Sequence, residues 1–146
     1  AYAEPLGDTT IFRAESSRAK LLAGATIDTN MPGVKFYEKE YAYDSDESTF
    51  FCTPYSDLEG EHFTVTLDSP ARTRRVAVVF DDSKEYPHGA VLEASADGKT
   101  YYKVTDEVKG GRMEARFKTQ RKVKSLRLRL TREQQNRLTI REFRFR

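Results

Sequence analysis

The sequence predicts an all-β chain folded as a β-sandwich of jelly-roll type, and three observations predict it. The second half alternates apolar and polar residues with a period of two, the mark of strands with one wet and one dry face. Turn-forming pairs interrupt those runs at Ser69-Pro70, Pro87-His88-Gly89, Asp97-Gly98 and Gly110-Gly111, where Gly and Pro bend the chain most cheaply. Nowhere after residue 60 do the apolar positions take a helical spacing. Many short strands joined by turns can bury their apolar faces only against one another, as a sandwich or jelly roll.

The elements follow in order. Residues 10–12 and 20–22 read as short strands, and residues 28–36 and 44–58 as largely loop. Phe63, Val65 and Leu67 alternate with His62, Thr64 and Thr66 in a half-buried strand. The unbroken apolar run at residues 76–80 predicts a strand, starting at Arg75, that is covered on both faces. Residues 90–96 and 99–104 flank Asp97-Gly98, which predicts a hairpin closed by a type I′ turn with positive φ at both central residues. Met113, Ala115 and Phe117 mark the next strand; Leu126, Leu128 and Leu130 mark another; residues 138–145 close the chain.

Composition bounds the answer. A chain of 146 residues falls in the range of a single core, so residues 1–146 are expected to form one domain. Nine Phe and eight Tyr exclude intrinsic disorder. The apolar runs fall far short of the ~20 residues a membrane span requires. Cys52 is alone, which rules out an internal disulfide and leaves it as a small half-buried side chain. No signal peptide is visible from Ala1 onward, and the sequence is read as a piece cut from a longer protein. Charge is uneven: residues 112–146 carry 13 Lys and Arg against three Glu, a net +10, which leaves residues 1–111 at −8. Arg127 and Arg129 alternate with leucines, and Arg141, Arg144 and Arg146 decorate the last strand similarly. The basic tail therefore reads first as a solvated sheet face, salt-bridged to the acidic first half, and second as a surface for an anionic partner. Nucleic acid is not expected, because no nucleic-acid motif accompanies the charge and the whole chain is only +2.

Catalysis finds no support. There are two His, no His-Glu-x-x-His, no nucleophile elbow and no phosphate-cradling glycine loop. The pairs Asp81-Asp82 and Asp44/Asp46 would need a defined carboxyl separation across a cleft to act as a glycosidase dyad, which sequence does not set.

Ala42-Tyr43-Asp44-Ser45-Asp46-Glu47-Ser48-Thr49-Phe50-Phe51 resembles the Ala-x-Asp-Gly-x-x-x-Thr-x-Trp stretch of coagulation factor 5/8 type C (discoidin-like) domains, which include bacterial carbohydrate-binding modules of family 32. Three further pieces stand in that family's order. Gly60-Glu61-His62-Phe63-Thr64-Val65-Thr66-Leu67 is similar to its Trp-x-x-Val-Asp-Leu strand. Glu93-Ala94-Ser95-Ala96-Asp97-Gly98-Lys99-Thr100-Tyr101 is similar to its Ser-x-Asp-Gly-x-x-Trp hairpin, and Leu138-Thr139-Ile140-Arg141-Glu142-Phe143 to its closing strand. Residues 14–17 form a faint N-terminal match. Ser45 replaces a family Gly, and Phe51 and Tyr101 stand where the family has Trp; the chain has no Trp, which excludes a sugar platform built on indole.

The resemblance implies a galactose-binding-like jelly roll and a structural calcium ion. Asp44, Thr49 and Glu142 would hold the ion with side-chain oxygens and Asp46 with its carbonyl, a donor set that suits a hard cation. The resemblance also implies a sugar site on loops at one end of the sandwich. Candidates are Tyr37, Tyr55, Tyr86 and His88 as rings, with Asp81, Asp82 and Asn136 as polar partners; the loop of residues 81–88 combines most of them. The expected function is a non-catalytic carbohydrate-binding module of a larger bacterial secreted, periplasmic or surface enzyme, a glycoside hydrolase. It would bind galactose- or N-acetylhexosamine-containing glycans as a monomer. The alternative is a spacer or protein-interaction domain packed against the parent's catalytic domain. A third mode, docking on a membrane surface, would need exposed apolar spikes, for which Met31, Val34 and Phe36 are the candidates.

Overall fold

The computed structural model describes residues 24–55, 57–80 and 84–145; the strands expected at residues 10–12 and 20–22, and the faint match at 14–17, lie outside them. Seven strands follow in chain order: β1 (Ala25–Thr29), β2 (Phe51–Cys52), β3 (His62–Phe80), β4 (Ala90–Ser95), β5 (Tyr102–Thr105), β6 (Arg112–Leu130) and β7 (Thr139–Phe145). One 3-10 turn, Lys39–Tyr43, precedes β2. Every pairing is antiparallel, in the order β2-β7-β3-β6-β4-β5, with β1 beside β3.

β3 and β6 run 19 residues each. Fully extended, such a strand would reach roughly 60 Å, too far for so small a domain, so both bend. Two staggered irregularities make the bend. Between Thr66↔Ser125 and Ala71↔Val123 the excess residues lie on β3; between Thr73↔Arg121 and Arg75↔Arg116 they lie on β6. The first half of β3 and the last half of β6 form one layer with β1, β4 and β5. Their other halves form the second layer with β7 and β2. Strands that change layer at a bulge are how sandwiches turn corners.

The layers meet in one core. Phe63 stacks on Phe143 with centroids 5.4 Å apart, and Phe51 packs on Phe63 at 5.1 Å. Leu126, Leu128 and Leu130 are wholly buried, as the alternation predicts. Residues 76–80 are buried on both faces. Cys52 is buried and free. The chain is thus an all-β, galactose-binding-like jelly-roll sandwich.

Three expectations are corrected. Ser69-Pro70 lies inside β3, at its bulge, and does not separate two strands. Asp97-Gly98 does not make a type I′ turn: Gly98 has φ 81° and Asp97 is not among the positive-φ residues. Asp97 Oδ1 instead accepts the amides of Lys99 and Thr100 and the hydroxyl of Ser95, and these bonds draw its pKa down to about 2. Third, β1 and β2 fall within or beside stretches expected to be largely loop.

Candidate functional site

The acidic loop after the 3-10 turn packs on the outer face of β7. β7 carries a bulge opposite Val79 and Phe80: Ile140 points into the core, Arg141 is the extra residue, and Glu142 faces outward opposite Val79. A bulge re-aims side chains in this way. Thr49 donates its hydroxyl to Asp44 Oδ2 at 2.6 Å and to the Asp46 carbonyl at 2.9 Å. Asp44 Oδ1 accepts the Asp46 amide, and Glu142 Oε2 accepts the Ser45 amide, each at 3.0 Å. Ser45 holds φ 67°, a conformation Gly adopts more cheaply.

The loop therefore brings Asp44, Asp46, Thr49 and Glu142 together. Glu142 is 2% exposed, and its Oε1 has no hydrogen-bond partner among the described residues. Burial, and then the charge of Asp44, push its pKa up to about 8. Burial likewise raises Asp44. Two converging carboxyls with an orphaned oxygen form a donor set that a divalent cation would satisfy. No group of three His, Cys, Asp or Glu side chains with metal-binding geometry occurs among the described residues, so hydroxyl and carbonyl oxygens would have to complete the shell.

The second assembly lies at one end of the sandwich, where loops 53–60, 84–89 and 131–138 meet. Gln134 fastens them. Its backbone amide donates to Asp57 O at 2.9 Å, its Oε1 accepts the His88 amide at 2.7 Å, and its Nε2 donates to Arg132 O at 2.8 Å, His88 O at 3.2 Å and Gly89 O at 3.3 Å. Gly89 stands at φ 99° with the Arg132 side chain 2.6 Å from where a Cβ would sit, so no other residue fits there without a shift. On this frame the rings of Tyr86 and His88 lie 4.9 Å apart at 30°. Asn136 Nδ2 donates to the Tyr86 carbonyl at 3.2 Å and to the Arg137 carbonyl at 2.9 Å. Tyr86, half-buried, leans on the core while His88 is exposed.

Of the other candidates, Tyr37 stacks on Phe50 at 4.9 Å, and Arg141 lies over Phe50 at 4.9 Å. This separate aromatic group lies beside the acidic loop. Tyr55 is 62% exposed on loop 53–60. Asp81 and Asp82 lie outside the described residues. Met31 is buried in the core, which removes it as a membrane spike, whereas Phe36 is 73% exposed. Phe51 is buried, and the Tyr101 hydroxyl bonds Ser125 while Arg127 covers its ring at 3.8 Å. The two positions where the family has Trp thus serve packing here, and the lack of Trp at them takes nothing from the loop end.

Sequence reading missed three residues. Gln134 stands in a polar run beside an exposed Gln135 and carries no signal of its own. Glu93 lies in β4 between Arg127 and Arg129. Asp57 is 1% exposed, with neither carboxyl oxygen hydrogen-bonded among the described residues.

A galactose-binding-like sandwich with an acidic loop on one flank and converging loops at one end defines the class. The family model of the F5/8 type C domain matches residues 26–143, and the chain belongs to that family. The fold is shared with carbohydrate-binding modules. One is the module CBM32-1 of a family 31 glycoside hydrolase from Clostridium perfringens, 19% identical with a TM-score of 0.70 over 85% of this chain and 95% of that one. Another is chitosan-binding module 2, solved with chitotriose, from a chitosanase/glucanase of Paenibacillus sp. IK-5. It is 17% identical, with a TM-score of 0.67 over 87% of this chain and 98% of that one. A third is the family 32 module of NanJ from C. perfringens, solved with galactose, 13% identical with a TM-score of 0.65 over 82% of this chain and 91% of that one. No curated protein sequence matches. Among the described residues no helix is long and apolar enough to cross a membrane.

Proposed function

We propose that this domain is a non-catalytic carbohydrate-binding module of a larger bacterial secreted or surface glycoside hydrolase, and that it binds galactose- or N-acetylhexosamine-containing glycans through its loop end. The observation that carries the reading is the exposed His88 ring tilted against Tyr86 on loops pinned by Gln134. A sugar needs an apolar face to stack on and rigidly placed polar groups for its hydroxyls. Similar folds solved with galactose and chitotriose support a glycan as ligand. Titration calorimetry with galactose, GalNAc-β-1,3-galactose and chitotriose tests it. His88→Ala is expected to abolish binding with the melting temperature near that of the unaltered chain, and Tyr86→Ala to abolish it without unfolding the chain, at some cost in melting temperature because that ring packs on the core. Retained binding would remove this loop.

The acidic loop is read as a calcium site held by Asp44, Thr49 and Glu142 with the Asp46 carbonyl. A bound cation would neutralise the two adjacent carboxylates and stiffen the loop. Calcium is expected to raise the melting temperature and chelator to reverse the rise; no change with either would leave the two carboxyls sharing a proton instead.

A second reading, a spacer packed against the parent's catalytic domain, is favoured by the exposure of Phe36, Tyr55 and Leu58 at 73%, 62% and 56%. Silence toward every glycan, with burial of these side chains in the parent protein, would select it.

A further inference from the structure

We infer that the outer face of the second layer is a separate binding site for a linear acidic polysaccharide. Arg75 on β3 and Arg116 on β6 are directly opposed across the ladder, an arrangement of like charges that weakens a sheet unless something anionic lies over it. Glu114 offers one oxygen to both, at 3.2 Å from Arg75 Nε and 3.8 Å from Arg116 Nε. Arg116 is 76% exposed. Arg112 makes no ion pair among the described residues. Arg74, the residue beside the bulge, donates to the Lys118 carbonyl at 2.9 Å, which holds its guanidinium on this face without neutralising it.

Two depressions meet at Arg75. One, of about 180 Å³, has Ala77 as its floor, with Arg75 and Arg112 beside the ion pair of Arg144 with Glu47. The other, of about 380 Å³, is walled by Arg74, Arg75, Arg116 and Phe117. Small Ala77 leaves room above the sheet, and guanidinium forks suit the paired oxygens of carboxylates and sulfates. Phe117, with Arg121 over its ring at 4.7 Å, closes the flank of the second depression. Two adjoining cationic depressions fit anionic groups on successive residues of a polymer better than one isolated anion.

None of these residues belongs to the loop end, so the inference leans on the proposed function only in taking the polymer to be a glycan. Affinity electrophoresis and calorimetry of the full chain with polygalacturonate and with heparin, at low and high salt, test it. Binding to either polymer, weakening with salt, is expected; polygalacturonate alone assigns carboxylates, heparin alone sulfates. The double variant Arg112→Gln/Arg116→Gln should bind at least about tenfold more weakly, as expected when two anionic contacts are lost. It should melt no lower than the unaltered chain and keep its affinity for neutral galactosides. Equal binding by the double variant, no binding to either polymer at low salt, or tighter binding to a DNA duplex than to both polymers would overturn the inference.

Discussion

Glu93 and Asp57 are both buried acids, at 8% and 1% exposure, and they meet opposite fates. Glu93 sits in a sheet, where register decides its neighbours. β4 lies beside β6, Glu93 faces Arg127, and its two oxygens accept Arg127 Nε at 2.9 Å and Arg129 Nε and Nη2 at 3.1 and 3.0 Å. Burial alone would raise its pKa, but the bonds from Arg129 and Arg127 outweigh it and hold the carboxyl below its ordinary value. Asp57 sits in a loop and pairs with no cation among the described residues. Burial, and then Glu61, push it up to about 7. Register supplies Glu93 with two cations, whereas Asp57 and Asp44 in their loops, and Glu142 at the bulge of β7, are raised by burial without that compensation. Such groups collect where ligands bind.

The largest expected effect breaks the loop side. A carboxyl whose folded pKa is raised stabilises the fold while protonated, and that contribution is lost as pH rises from 3.8 through about 7. The unaltered chain should lose up to about 4 kcal/mol from this group across that window, and Asp57→Asn should flatten the loss in urea titrations run at several pH values. The sheet side breaks next. Glu93→Ala strands two guanidiniums and should cost about 2 kcal/mol, below the range for fully buried pairs because both arginines stay part-exposed. Its pH dependence has the opposite sign. The depressed pKa means the contribution is present above the ordinary 4.5 and fades as pH falls below it, so the stability gap between Glu93→Gln and the unaltered chain should close in acid. The smallest effect sharpens the contrast between the halves of β6. Arg116, opposed by Arg75, should become Gln with a gain of about 0.5 kcal/mol, read as a small rise in melting temperature. A loss on that substitution would show that Glu114 already neutralises the pair.

The strands after residue 60 were legible because alternation reports which face is dry, and Phe63, Val65 and Leu126 to Leu130 bear it out. That two pairs of strands are single bent ribbons was not legible, since the bend is written in register between partners far apart in the chain. β1 was missed because Ala25, Ile27 and Thr29 supply too few alternating positions to stand out. The convergence of Asp44, Thr49 and Glu142 was legible through the resemblance, and the bulge at Arg141 gives its physical reason. Gln134 was invisible, because its role depends on backbone carbonyls that sequence does not name.

That side chain has a further consequence for redesign of the domain. Its side-chain amide ties loop 84–89 to its own loop through backbone groups alone, while its backbone amide holds loop 53–60 at the Asp57 carbonyl. Exposed side chains on those loops that bond no backbone group, His88 among them, are then free to be exchanged without retuning the frame that carries them. Gln134 is the fixed bolt of an interchangeable face, and loop libraries that spare it and Gly89 would vary selectivity at little cost to the fold.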